Sequence, residues 1–91
     1  MTGRDLYIEQ REERWGASVT VNRAWGDRLH KIEVWKGDPN HPFESHRKAS
    51  LICQSSGSNG FSPDLARKVA EALRQAADVA ERFDHEQDEG L

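Results

Sequence analysis

The spacing of apolar residues along the chain changes once, from about two residues to about three and a half, and the change falls near residue 60. Beyond it, Leu65, Ala66, Val69, Ala70, Ala72, Leu73, Ala76, Ala77, Val79, Ala80 and Phe83 all occupy one half of a helical wheel drawn at about 100° per residue. Arg67, Lys68, Glu71, Arg74, Gln75, Asp78, Glu81 and Arg82 fill the other half. Ser62 is a good N-cap, Pro63 suits the first helical position, and Asp64 puts negative charge where the helix dipole favours it. The pattern predicts an amphipathic helix over 62–83. Its six alanines let its backbone lie close to a flat partner, and its Glu71/Arg74 and Asp78/Arg82 spacings predict surface ion pairs worth about 0.2–0.5 kcal/mol each. Core packing is the main expectation for the apolar half, with a dimer interface along the alanine-rich edge as the other.

Before residue 60, short segments rich in Val, Ile, Trp, Thr and Leu are punctuated by glycine, which predicts strands near 6–14, 17–24, 28–36 and 48–54. Together these elements predict an α+β fold in which an antiparallel meander of about four strands packs on one C-terminal helix, in the order ββββα. Two Trp-Gly steps suggest two-residue hairpins with glycine first in the loop. Gly26-Asp27 would then set Trp25 opposite Arg28, Val21 opposite Ile32 and Val19 opposite Val34, with Trp25 in the core. The same rule at Gly16-Ala17 pairs Trp15 with Ser18, and Ser18 in turn with Trp35. Trp15 and Trp35 would then stand on the face turned away from the helix, among Glu13, Thr20, Glu33, Arg11, Asn22 and Lys31. That first register also turns Glu12 and Arg14 toward the helix side, which requires strand 1 to overhang the helix or to bulge after Ile8.

The 91-residue length fits one domain with a single modest core, and 35% hydrophobic against 32% charged residues suffices because the apolar positions are segregated. The expected organisation is one α+β domain over 1–84 and an acidic, flexible tail over 85–91. The last eight residues hold four acids and no Lys or Arg, so without them the net charge moves from −3 to +1. A nearly neutral body argues against a dedicated nucleic-acid binder. Apolar runs are too short for a transmembrane span and no signal-like stretch opens the chain, which leads to an expectation of cytoplasmic location without membrane contact. The single Cys53 has no partner for an internal disulfide.

Candidate chemistry is sparse. His30, His41, His46 and Cys53 lack zinc-ligand spacing, and Cys53 in Leu51-Ile52-Cys53 reads as a small buried hydrophobe. The Ser55–Phe61 segment has the glycines of an anion-cradling loop but neither the P-loop lysine nor dinucleotide-motif spacing, so it reads as a connector, with Phe61 placed to staple onto Ala66. No catalytic residue, cofactor or metal is therefore expected. The remaining signal is the pair Trp15 and Trp35, flanked by Arg11 and Lys31, as a surface for a protein partner or for self-association as a homodimer. The connection 37–47, with Phe43 and two prolines, is the segment that could cover it. Alternation of Arg11, Arg14, Trp15, Arg23, Trp35 and Lys36 makes single-stranded nucleic acid the alternative ligand, offset by Glu9, Glu12, Glu13 and Glu33 on the same strands.

Ser62-Pro63-Asp64-Leu65-Ala66-Arg67, followed by Val69-Ala70-Glu71-Ala72-Leu73 and Ala76-Ala77-Asp78-Val79-Ala80-Glu81, resembles the closing helix of small uncharacterised actinobacterial and actinobacteriophage proteins in which a β-meander precedes the helix. The resemblance covers about a quarter of the chain. It implies a bacterial or phage protein of α+β type and brings no active residues with it.

Overall fold

A computed structural model describes residues 6–24, 28–55 and 62–89. Four strands, β1 (Leu6–Glu13), β2 (Gly16–Arg23), β3 (Arg28–Trp35) and β4 (Ser50–Ser55), form one antiparallel sheet in sequence order, and the helix α1 (Pro63–Glu89) packs across it. The architecture is the expected ββββα. Val19, Val21, Ile32 and Val34 are the fully buried side chains of the two central strands, where branched side chains pack well on a pleated surface. Ala17, Val19 and Val21 of β2 and Ile32 and Val34 of β3 meet Val69, Ala72, Ala76, Val79 and Phe83 of α1 to form the core. Ala72 and Ala76 are fully buried, so the helix backbone comes down onto the sheet between larger side chains.

The hairpins are built differently from the turn rule. In β1–β2, Glu13 lies opposite Gly16 and Arg11 opposite Ser18, so the loop is Arg14-Trp15 and Gly16 is already in the strand. The cause is steric. A Cβ on Gly16 would lie 1.9 Å from the Val34 carbonyl oxygen, so glycine is needed here for close approach of β3. On its other edge β2 sets Ala17, opposite Glu12 in this hairpin, against Val34 of β3, where it is buried. In β2–β3, Val19 faces Ile32 and Val21 faces His30, two residues from the expected pairing, with a register shift between Val21 and Asn22. Trp25 and the Gly26-Asp27 turn lie outside the described residues, as do 56–61 of the proposed connector.

Strand β1 runs without a bulge, and its helix-side positions Gln10 and Glu12 overhang the edge of α1. There Gln10 Nε2 donates to Gln75 Oε1 at 2.8 Å, and Glu12 is met by Arg82 at 4.0 Å. The overhang lets polar residues sit on the nominally inner face in contact with solvent.

Helix α1 starts as expected, with the Leu65 amide donating to Ser62 Oγ at 3.2 Å. It continues past Phe83 to Glu89, so the acidic residues 85–89 extend the helix where a frayed tail was expected. Nothing in that stretch breaks a helix, and two side chains tie it down: Asp84 Oδ1 accepts the Ala49 amide at 2.8 Å, and Gln87 Nε2 donates to the Gly37 carbonyl. Its surface ion pairs also differ from the spacing argument, linking Lys68 with Glu71 and Arg82 with Glu86. Among the described residues, no helix is long and apolar enough to cross a membrane.

Candidate functional site on the outer sheet face

Alternation along the strands sends Tyr7, Glu9, Arg11 and Glu13 of β1, Ser18, Thr20 and Asn22 of β2, Lys31, Glu33 and Trp35 of β3, and Ser50, Ile52 and Gln54 of β4 to the face opposite α1. The two tryptophans do meet on this side. Trp15, projecting from the β1–β2 turn, stacks on Trp35 with ring centroids 4.5 Å apart and planes 23° from parallel. The Lys36 amide donates to the Trp15 carbonyl at 3.1 Å, so the turn is fastened to the strand that carries the second indole. Ser18, expected between them, pairs instead with Arg11 and Glu33. Trp15 is half-buried under its neighbour, and Trp35 retains 39% of its surface.

Arg11 and Lys31 lie elsewhere on the same face. They line a polar groove of about 240 Å³ with Tyr7, Glu9, Glu13, Ser18, Thr20, Asn22 and Arg28, and neither tryptophan is among its walls. Each is neutralised by a neighbour on its own strand, Arg11 by Glu9 at 3.6 Å and Lys31 by Glu33 at 3.4 Å. Glu33 also accepts from Trp35 Nε1 at 3.4 Å, which links groove and stack through one carboxylate. The structure thus divides the expected site into a charge-balanced groove and an aromatic corner.

The aromatic corner opens into a second, larger cleft of about 490 Å³, walled by Trp35, Lys36, Ser45, His46, Lys48, Ser50 and Ile52. Ile52 is 45% exposed there. Its position on β4, diagonal to Trp35, follows from the alternation Ser50-Leu51-Ile52, but the wall across from it comes from the loop and carries no periodic signal. That loop, 36–49, borders the tryptophans and leaves Trp35 open. It is held by its own bonds: the Asp38 amide donates to the His46 carbonyl at 2.9 Å, and the Arg47 guanidinium donates to the carbonyls of His41 at 2.8 Å and Pro42 at 3.3 Å. Gly37 sits so close to Arg47 that a Cβ would fall 2.2 Å from its carbonyl oxygen, which closes the two ends of the loop on each other. Lys36 is among the walls of the cleft, and its ammonium lies 5.1 Å from the centroid of the Phe83 ring.

The other candidate groups are dispersed. His41 and His46 meet within the loop, ring centroids 4.6 Å apart, and His41 Nδ1 accepts the Phe43 amide at 3.1 Å. His30 lies buried on the helix side of β3, where burial pushes its pKa below the usual 6.5. Cys53 is exposed, contrary to the buried placement expected, because α1 lies over the central strands and leaves β4 at the margin. Among the described residues no three His, Cys, Asp or Glu side chains gather as metal ligands would. Comparison of the chain with protein-family models, with curated proteins and with solved structures returns no match.

Proposed function

We propose that this chain is a protein-interaction module rather than an enzyme, and that it receives a partner segment bearing an apolar anchor beside a carboxylate in the cleft next to Trp35. The observation that carries this reading is the Trp35 indole, 39% exposed at the mouth of an apolar cleft and held in place by the Trp15 stack. A large aromatic surface fixed before binding loses little conformational entropy on contact, and tryptophans of this kind dominate the energetics of protein interfaces. Lys48 and His46 at the rim, with no acid among the described lining residues, favour a carboxylate next to the anchor. Single-stranded nucleic acid draws less support, because Arg11 and Lys31 are both engaged by carboxylates.

Selection of a displayed random-peptide library on the full chain tests the proposal. Enriched peptides should carry an apolar residue flanked by Asp or Glu, and Trp35→Ser should weaken them by about 30-fold or more, the scale of an interface hot spot. Lys48→Glu should weaken them as well. Enrichment without acidic bias, no enrichment, or binding that survives Trp35→Ser overturns the proposal.

A further inference from the structure

The two margins of the sheet are unlike. Strand β1 carries Glu9, Arg11, Glu12 and Glu13, the charges that discourage edge-to-edge pairing. Strand β4 reads Ser-Leu-Ile-Cys-Gln-Ser, with no charge and no proline. It pairs only with β3, so its outer backbone edge is unpaired by any other strand of the described sheet. Its helix-side positions are apolar and open, Leu51 at 39% and Cys53 exposed, and on the outer side Ile52, at 45%, is an open apolar residue between Ser50 and Gln54. The nearby flank of α1 is marked by Asp84, which reaches Ala49, and Leu73 on that flank is 37% exposed. Leu51 and Leu73 are thus exposed apolar residues on the same side of the molecule, one on the sheet margin and one on the helix flank.

We infer that β4 pairs antiparallel with β4 of a second copy of this chain about a two-fold axis perpendicular to the sheet. A strand without charge meets no like charge when it meets itself, and its apolar positions match themselves in one register. With both helices on the same side, residues of equal parity lie opposite each other, so centring the axis on Ile52 sets Ile52 against the partner copy's Ile52 and Leu51 against its Cys53. On the outer face, the two clefts come side by side, because Ile52 is a wall of each. A foreign strand could satisfy the backbone edge equally well, but only a second copy brings both this residue match and a closed, two-fold assembly.

Sedimentation equilibrium on the full chain tests the inference with two charge variants on the helix side of β4, away from the cleft. Wild type is expected to be a dimer at tens of micromolar. Leu51→Lys with Cys53→Lys sets lysine against lysine twice across the axis and should raise the dimer Kd by about ten-fold or more. Leu51→Lys with Cys53→Glu places equal numbers of charges on the same strand but pairs them with opposite sign, and should remain dimeric. Far-UV circular dichroism checks that both variants keep the fold. A monomeric wild type, a Lys/Lys variant that stays dimeric, or a monomeric Lys/Glu variant overturns the inference. Peptide binding by a monomeric variant would separate this outcome from the fate of the cleft.

Discussion

Replacing Gly16 with alanine tests how the aromatic corner is built. The added Cβ would stand 1.9 Å from the Val34 carbonyl oxygen and 3.0 Å from its carbon, whereas carbon and oxygen in close contact need about 3.3 Å. Backbone must therefore move by more than an ångström at the first residue pair of β2–β3. Relief by separation breaks the Gly16/Trp35 pairing and the bond from the Lys36 amide to the Trp15 carbonyl, at about 1 kcal/mol for each hydrogen bond lost, and residual crowding adds about 1–3 kcal/mol. The expected loss is about 3–5 kcal/mol. A domain of this length holds about 5–14 kcal/mol, so over most of that range the variant stays folded, with an unchanged urea m-value and a lower midpoint. Indoles stacked at 4.5 Å are expected to couple into a far-UV exciton signal, which should weaken in Gly16→Ala as the turn moves. Loss of less than about 0.5 kcal/mol with the exciton signal intact would refute the steric account of this glycine.

Two further outcomes follow from buried contacts. His30 has a pKa held below 6.5 by burial, so the unfolded chain takes up its proton first as pH falls; stability is full above pH 6.5 and declines below it toward the lowered pKa. Denaturation midpoints measured across that window should show this slope in wild type and a shallower one in His30→Leu, and identical slopes would contradict it. Asp84→Ala removes the acceptor of the Ala49 amide and should cost about 1–2 kcal/mol in urea denaturation, with faster hydrogen exchange at Ala49; an unchanged exchange rate would show that the bond does not protect this amide.

The sequence made the faces of the sheet legible but left the register open, for a reason that lies in the pleat. Side chains alternate with a period of two, so burying Val19, Val21, Ile32 and Val34 together specifies only whether a pairing is odd or even. As far as Val21 both hairpins differ from the turn rule by an even number of residues, and the core positions kept their face; beyond the irregularity at Val21/Asn22 the offset is odd, and Arg28 comes opposite Asn22 on the outer side. Trp15 was another exception, since the shorter hairpin moved it from strand to turn, and there it still reached Trp35 by stacking. Gly16 misled because glycine serves two purposes, turn formation and close approach, and only the position of Val34 in space separates them. The helix start was legible from Ser62, whose cap is a local interaction. Its end was not, because Asp84 and Gln87 are held by residues 35 and 50 positions earlier. Cleft walls from His46 and Lys48 were hidden in the same way: an irregular loop has no period to read.

Those two ties at the end of α1 also set an order of failure. The core contacts of the helix end at Phe83, whereas the bond to Ala49 comes from Asp84, the next residue, and the bond to Gly37 from Gln87, one turn further on. Fraying of that last turn, the least stable part of any helix, releases the Gly37 end of the loop that walls the cleft while the core remains packed. Recognition and folding can therefore be lost separately, recognition first, and a cut that trims the helix behind Phe83 would leave a folded protein whose cleft no longer holds its shape.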